Sequence, residues 1–254
     1  MSLEYQTLAK IFNSNTLNDI ADGDLSYIYK IIENFFDDKD NLINHLMLPF
    51  IFKENVDDDL SIEEEIYDEK YETYALSFNY GQKHSVELDY AIQLGKDYAL
   101  KEHIILDLPN ESFISSALIN KELKPNEFNT VDDLVSGFVN SYVPFRNMIF
   151  LSFALSIAES NNIDQIFVGF NKDDSINYWD CKENFINHIN IISGLNTTIK
   201  IKSPFINLSK KEVVLLGKSL GVNYDNTISC YQPIGNVECG CCLSCVIKKE
   251  AFNE

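Results

Sequence analysis

Five of the six cysteines crowd into Cys230–Cys245, and four of these, Cys230, Cys239, Cys242 and Cys245, are spaced C-x8-C-x2-C-x2-C. A C-x2-C turn presents two thiolates to one ion, and zinc prefers four tetrahedral thiolate or imidazole ligands. Gly235 and Gly240 give the backbone freedom such a knuckle needs. Four sulfurs close the coordination sphere, so the implied zinc is structural. Cys241 is a fifth thiol in the same stretch, so the ligand set is inferred from spacing; reduced thiols or a surface disulfide are the alternatives. The lone Cys181 reads as a packed thiol. Arg146 is the only arginine among 20 basic residues. Its planar, permanently charged fork suits a carboxylate or phosphate better than a lysine does, the alternative being a surface ion pair. His84 and His188 read as surface or core residues, with no ligation assigned.

The chain has 254 residues and a net charge of −19, enough length for one good-sized domain with an appendage. Such acidity argues against general binding of DNA or RNA, which needs a compensating basic surface. It leaves room for a local pocket that takes one small anion. The acidity is uneven: residues 54–72 hold ten acids against Lys70 alone, nearly half of the net charge. No apolar run is long enough to span a bilayer, and Met1–Lys10 lacks the pattern of a secretory signal. A soluble cytoplasmic protein is therefore expected, without a membrane role.

Three regions must position these residues. Residues 1–47 read as a helical N-terminal extension, with Leu25, Ile28, Ile31, Ile32, Phe35 and Phe36 at helix spacing. Packing on the domain and contact with a protein partner through residues 1–53 both remain open. His45–Lys53 is an apolar run that reads as a buried strand, with Pro49 at its start or at an edge. The acidic stretch that follows is a loop or a solvated helix face. From residue 73 the pattern alternates. Strands are expected at Thr73–Asn79, His103–Leu108, Gln165–Gly169 and Thr198–Lys202. Helices are expected at His84–Tyr98, Phe145–Ser160, Lys182–Ser193 and from Ser209 to Leu220. Ser209 and Glu212 form a capping box there, and Gly221 supplies the stop. Short β-branched runs alternating with helices predict an α/β domain over residues 48–229, a doubly wound, mostly parallel sheet, followed by the cysteine module at 230–254.

The ending Thr227–Phe252, TISCYQPIGNVECGCCLSCVIKKEAF, resembles the zinc tail of the 7-cyano-7-deazaguanine synthases, the QueC family. Phe78–His84, FNYGQKH, is similar to that family's Phe-Asp-Tyr-Gly-Gln-Arg-His. Tyr142–Asn147, YVPFRN, is similar to its Val-Pro-Gly-Arg-Asn. Asp174 and Tyr178–Lys182, YWDCK, are similar to an Asp followed by Tyr-Pro-Asp-Cys-Arg. The motifs are in order and cover about residues 73–252. The resemblance implies the doubly wound fold of the N-type ATP pyrophosphatases (adenine nucleotide alpha hydrolase-like). It also implies a chemistry in which ATP and Mg²⁺ activate the carboxylate of 7-carboxy-7-deazaguanine for attack by ammonia, giving an amide and then a nitrile. The product feeds queuosine or a related modification of DNA.

Carried onto this chain, the resemblance implies a ligand pocket of Tyr80, Gln82, Arg146, Asn147, Asp174, Asp180 and Lys182. Asp180 could accept from the N–H groups of a guanine-like base, or serve as an N-cap of the following helix. Asn147 could bond a purine edge or cap its own helix. Lys182 stands where the family has arginine, so the charge stays and the bidentate geometry goes. Tyr80 and Gln82 follow a strand end, where open α/β sheets meet ligands.

One family element is missing. The ATP site of the family rests on a Ser-Gly-Gly-x-Asp-Ser loop, whose backbone N–H groups cradle the pyrophosphate. The family's spacing lands on Glu54–Asp59, ENVDDD, without the glycines or serines. Ala21–Ser26, ADGDLS, lies far upstream and follows no convincing strand. Four carboxylates in six residues repel an ATP tail and lack its backbone donors, so Mg-ATP use is doubtful. Two expectations follow. One is a degenerate homologue that keeps a purine or carboxydeazaguanine pocket and acts as a binding or assembly subunit, in deazaguanine metabolism or a related phage-defence set. The other is an active ATP-dependent ligase with an altered nucleotide site or a partner chain.

Overall fold

The computed structural model describes residues 50–54, 72–97, 100–133, 139–219, 222, 224 and 227–253. The expected helical extension, the acidic stretch 55–71, the ADGDLS segment and Gly221 lie outside these residues.

Five strands form one sheet: β1 (Phe50–Glu54), β2 (Glu72–Asn79), β3 (Glu102–Asp107), β4 (Gln165–Phe167) and β5 (Lys200–Lys202). Their order is β3-β2-β1-β4-β5. β2 pairs with β3 and β4 with β5 in parallel, as the alternation of strand and helix predicts. β1 corrects the expectation of a mostly parallel sheet. It lies at the centre and runs antiparallel to both neighbours, pairing Phe50 with Leu76 and Glu54 with Glu72 on one side and Ile51 with Phe167 on the other. A parallel strand must be followed by a crossover, whose usual signature is an amphipathic helix. The sequence after Glu54 carries no such apolar periodicity, so nothing there required a parallel partner. Glu54 thus ends β1 at the edge where β2 begins, opposite the edge where β2 and β4 finish.

Alternation along the strands explains the layers. Tyr74, Leu76 and Phe78 of β2, with Ile166 of β4, point into the main core. That core also takes Phe150, Leu151, Ala154 and Ala158 of α2 (Arg146–Ser160) and Phe185, Ile186 and Ile189 of α4 (Glu183–Ser193). The Phe78 and Phe150 rings stack 3.9 Å apart. The intervening Ala75 and Phe167 point to the other face and meet Ala91 of α1 (Val86–Asp97). Helices therefore cover both faces, and a strand buried on both sides reads as a continuous apolar run. The short α3 (Asp174–Asn177) precedes a single 3-10 turn, Trp179–Cys181.

α5 (Lys210–Ser219) opens on the predicted capping box: Glu212 Oε2 accepts from the Ser209 amide at 2.7 Å and from its hydroxyl at 2.8 Å. α6 (Leu243–Phe252) packs against α5. Among the described residues no helix is long and apolar enough to cross a membrane.

Candidate functional site

The C-terminal ends of β2 and β4 deliver their chains to one cavity of about 270 Å³. Gly81 makes the exit from β2 possible. Its φ is +78°, and a Cβ there would lie 2.8 Å from Asn110 Cβ. Gln82 then folds back: its Oε1 accepts from the Tyr80 amide at 2.8 Å and its Nε2 donates to the Phe78 carbonyl at 2.9 Å.

Arg146, Asp174 and Asp180 line the cavity together. Arg146 Nε donates to Asn147 Oδ1 at 3.2 Å, Nη1 lies 3.5 Å from the Tyr80 hydroxyl, and the guanidinium stands 5.8 Å from the Phe150 ring centroid. Among the described residues it makes no ion pair. Burial disfavours its charge, opposed by the Tyr80 hydroxyl that Nη1 faces and by Asp180, and the guanidinium stays protonated. Burial pushes the Tyr80 phenol up to about 12. At neutral pH that phenol is uncharged, and the nearby countercharge comes from carboxylate.

Asp180 is 2% exposed, and its Oδ2 takes a long hydrogen bond, 3.4 Å, from the Asn147 amide at the start of α2. Its cap contact is thus to α2, across the chain, and not to the helix that follows it. Burial raises its carboxyl above the ordinary range, opposed by Arg146. Burial likewise raises Asp174, opposed first by Lys210. Asn171 fixes Asp174 by donating from Nδ2 to Oδ2 at 2.6 Å.

The remaining predicted residues are placed differently. Tyr80, Gln82 and Asn147 are buried behind the lining. Asn147 Nδ2 donates to the Asp180 carbonyl and the Cys181 sulfur, both at 3.3 Å, so its amide fastens α2 to the 3-10 turn. Lys182 is exposed at the N-cap of α4, outside the lining. Sequence reasoning left unassigned three residues that do line the cavity: His84, Tyr178 and Tyr231. The Tyr178 hydroxyl joins Ser141 Oγ at 2.9 Å and the Tyr231 hydroxyl at 3.4 Å. All three lay inside the quoted motifs, which was the available signal.

Tyr231 ties the cavity to the cysteine cluster. The sulfurs of Cys230, Cys239, Cys242 and Cys245 lie within 4.8 Å of one another. A tetrahedral zinc with bonds near 2.3 Å needs sulfur–sulfur edges of roughly 3.8 Å, and Cys239 and Cys245 already stand 3.9 Å apart. Backbone amides of Tyr231, Gln232, Cys239 and Cys242 donate to these sulfurs, which favours thiolates. The four residues chosen by spacing fit a structural metal, and Cys241 stands outside the group. Glu238 braces the knuckle from beside it, taking Lys248 Nζ at 2.9 Å and the Ser229 amide at 2.9 Å.

A family model described as "Queuosine biosynthesis protein QueC" matches residues 61–254, which include the whole cavity and the cysteine cluster. The chain belongs to the QueC family. Among curated relatives, it is 40% identical to a 7-cyano-7-deazaguanine synthase of Rickettsia rickettsii (strain Sheila Smith) over 192 residues, covering 72% of this chain and 84% of that one. It is 38% identical to a 7-cyano-7-deazaguanine synthase of Rickettsia canadensis (strain McKiel) over 192 residues, covering 72% of this chain and 85% of that one. Within this QueC chain two residues of the quoted motifs stand out. Phe145, where the family motif has glycine, has φ 52° and ψ 20°, the left-handed region. Trp179, where the motif has proline, meets the Phe145 ring edge-on at 5.3 Å and donates Nε1 to the Tyr142 hydroxyl at 2.8 Å.

Proposed function

We propose that this QueC-family protein binds a 7-deazaguanine or related purine bearing a carboxylate, and works as a binding or assembly subunit. Its setting is queuosine-type deazaguanine metabolism or a related phage-defence system. The observation that carries this reading is Arg146: the sole arginine, without an ion pair among the described residues, lining one cavity with the buried Asp180 and the half-buried Asp174. A fixed guanidinium with unused donors is a receptor for a planar anion. Asp174 and Asp180 supply acceptors for the N–H edge of a guanine-like base, while Tyr80, Gln82 and Asn147 brace the wall. Lys182 adds positive charge outside. The cysteine cluster holds a structural zinc that fixes Tyr231, and the part of residues 1–53 that precedes β1 is offered to a protein partner.

The absence of the Ser-Gly-Gly-x-Asp-Ser sequence supports a binding role over ordinary ATP cleavage. The reversed β1 supports it too, because Glu54 leaves the sheet at the edge away from the cavity. A second reading, an ATP-dependent ligase with an altered nucleotide site, is favoured by one observation. The match to the Rickettsia rickettsii synthase spans 84% of that chain, and the family model's match, residues 61–254, takes in all the cavity motifs.

Calorimetric titration of 7-carboxy-7-deazaguanine into the protein and into Arg146→Gln tests the pocket. The expected result is saturable binding that weakens about ten- to a hundred-fold in the variant, the range for a lost charged hydrogen bond. Equal binding by both refutes it. Stoichiometric AMP and pyrophosphate, or ADP and phosphate, formed from ligand, ammonium and Mg-ATP refutes the binding-only role. No binding of millimolar Mg-ATP, with or without partner chains, refutes the ligase.

A further inference from the structure

We propose that His84 is a ligand-contacting residue of the cavity, its imidazole set by Glu87 and its Nδ1 accepting a hydrogen bond from an N–H on the edge of the bound heterocycle. This deepens, and rests on, the reading of the cavity as a deazaguanine pocket. The starting point is an unmet bond. His84 is 8% exposed and lines the cavity, yet its Nδ1 is buried without a hydrogen-bond partner. Buried polar side-chain atoms in folded proteins are nearly always paired, so an orphan on a cavity-lining residue marks where a bound molecule completes the set.

The rest of the ring is held. Nε2 lies 3.5 Å from Glu87 Oε2, and Glu87 Oε1 takes a hydrogen bond from Gln82 Nε2 at 3.1 Å. Gln82 is itself tied to the Phe78 carbonyl and the Tyr80 amide at the end of β2. The imidazole is thus oriented by a chain of contacts that runs back to the sheet. The Tyr80 and Tyr231 rings flank it at 6.4 Å and 6.0 Å between centroids. The Tyr231 backbone favours the protonated ring, but Nδ1 has no partner in ordinary hydrogen-bond geometry.

Tyr80 also links this wall to the anion receptor, since its hydroxyl is 3.5 Å from Arg146 Nη1. His84 and Arg146 therefore flank one phenol, and a small planar ligand held through its carboxylate can reach both. Burial lowers the readiness of His84 to protonate, which leaves a neutral ring with one donor and one acceptor. Gln82 and Glu87 act through His84 and are positioning residues.

Titration of 7-carboxy-7-deazaguanine into wild type, His84→Asn, His84→Gln, His84→Phe and Arg146→Gln tests this, with zinc content and thermal melting as fold controls. An asparagine amide reaches the place of Nδ1, a glutamine amide that of Nε2, and phenylalanine fills the space with neither. His84→Phe and His84→Gln are expected to bind about ten-fold more weakly, and His84→Asn within about three-fold of wild type. Wild-type affinity in His84→Phe, alongside lost affinity in Arg146→Gln, overturns the His84 assignment alone. So does an asparagine variant no better than the glutamine one. A wild-type protein that binds none of the ligand overturns the pocket reading and this proposal with it.

Discussion

Substituting Phe145 by glycine and by alanine separates backbone strain from aromatic contact at the entrance to α2. Phe145 sits at φ 52° and ψ 20°. A residue with a Cβ loses roughly 1–2 kcal/mol in that left-handed region. What holds it is contact. The side chain is 54% exposed, so about half of it is covered, worth roughly 1 kcal/mol. Its edge-on pairing with Trp179 at 5.3 Å adds about 1 kcal/mol. Alanine loses both contacts and keeps the strain, so Phe145→Ala should be about 2 kcal/mol less stable than wild type. Glycine loses the same contacts but relieves the strain, less about 0.5–1 kcal/mol for the extra freedom of its unfolded chain. Phe145→Gly should therefore exceed Phe145→Ala by about 0.5–1 kcal/mol, the reverse of their order inside a helix. Urea unfolding resolves this difference; in melting it amounts to roughly 2 °C for a chain of this size. Trp179, the only tryptophan, provides an internal probe: both variants should shift its emission to the red as its shield is removed. An alanine variant as stable as the glycine one would falsify the left-handed entry to α2 and the strain argument with it.

Three further outcomes are expected. Asp180 has a raised carboxyl because it is buried; a group raised on folding favours the fold when protonated and weakens it as pH rises through the folded value. Asp180→Asn should therefore melt above wild type at pH 7, with the gap closing below pH about 4, and a gap independent of pH contradicts the assignment. Cys242→Ser should lose bound metal and lower the melting point, and a strong chelator should do the same to wild type; a chelated protein that keeps its melting point refutes a structural metal. A Cβ on Gly217 would stand 1.9 Å from the Tyr224 hydroxyl and 2.5 Å from Val222 Cγ2. Gly217→Ala should cost about 1–3 kcal/mol in urea unfolding, whereas a neutral result means α5 does not pack on Val222 and Tyr224.

The parts of the fold legible in the sequence were those whose signal is local. The strand at Thr73–Asn79 and the helix from Lys182 came out within a residue of β2 and α4, because burial and periodicity mark them directly. Ser209 and Glu212 announced their own hydrogen bonds. The apolar run before Lys53 was legible as a strand, but its direction was not. Pairing partners lie far along the chain, and β1 meets Phe167 as closely as it meets Ala75. The site divides in the same way. Four cysteines at fixed spacing converge as a set, since their turns are local. Whether Gln82 lines the cavity or braces it from behind depends on Phe78, Tyr80 and Glu87 around it. Likewise Tyr178 and Tyr231 meet only through tertiary packing, as does His84 with its neighbours.

The wall formed by Cys230 and Tyr231 has a consequence for biosynthesis. All five described strands precede it in the chain, so a ribosome can release a complete sheet before the last side of the cavity exists. Residues 228–231 and Ser244, which close the site, flank or belong to the knuckle whose four cysteines could hold a metal. On the proposed reading, newly made protein therefore gains its fold first and its ligand affinity later, at a moment set by metal supply and not by translation.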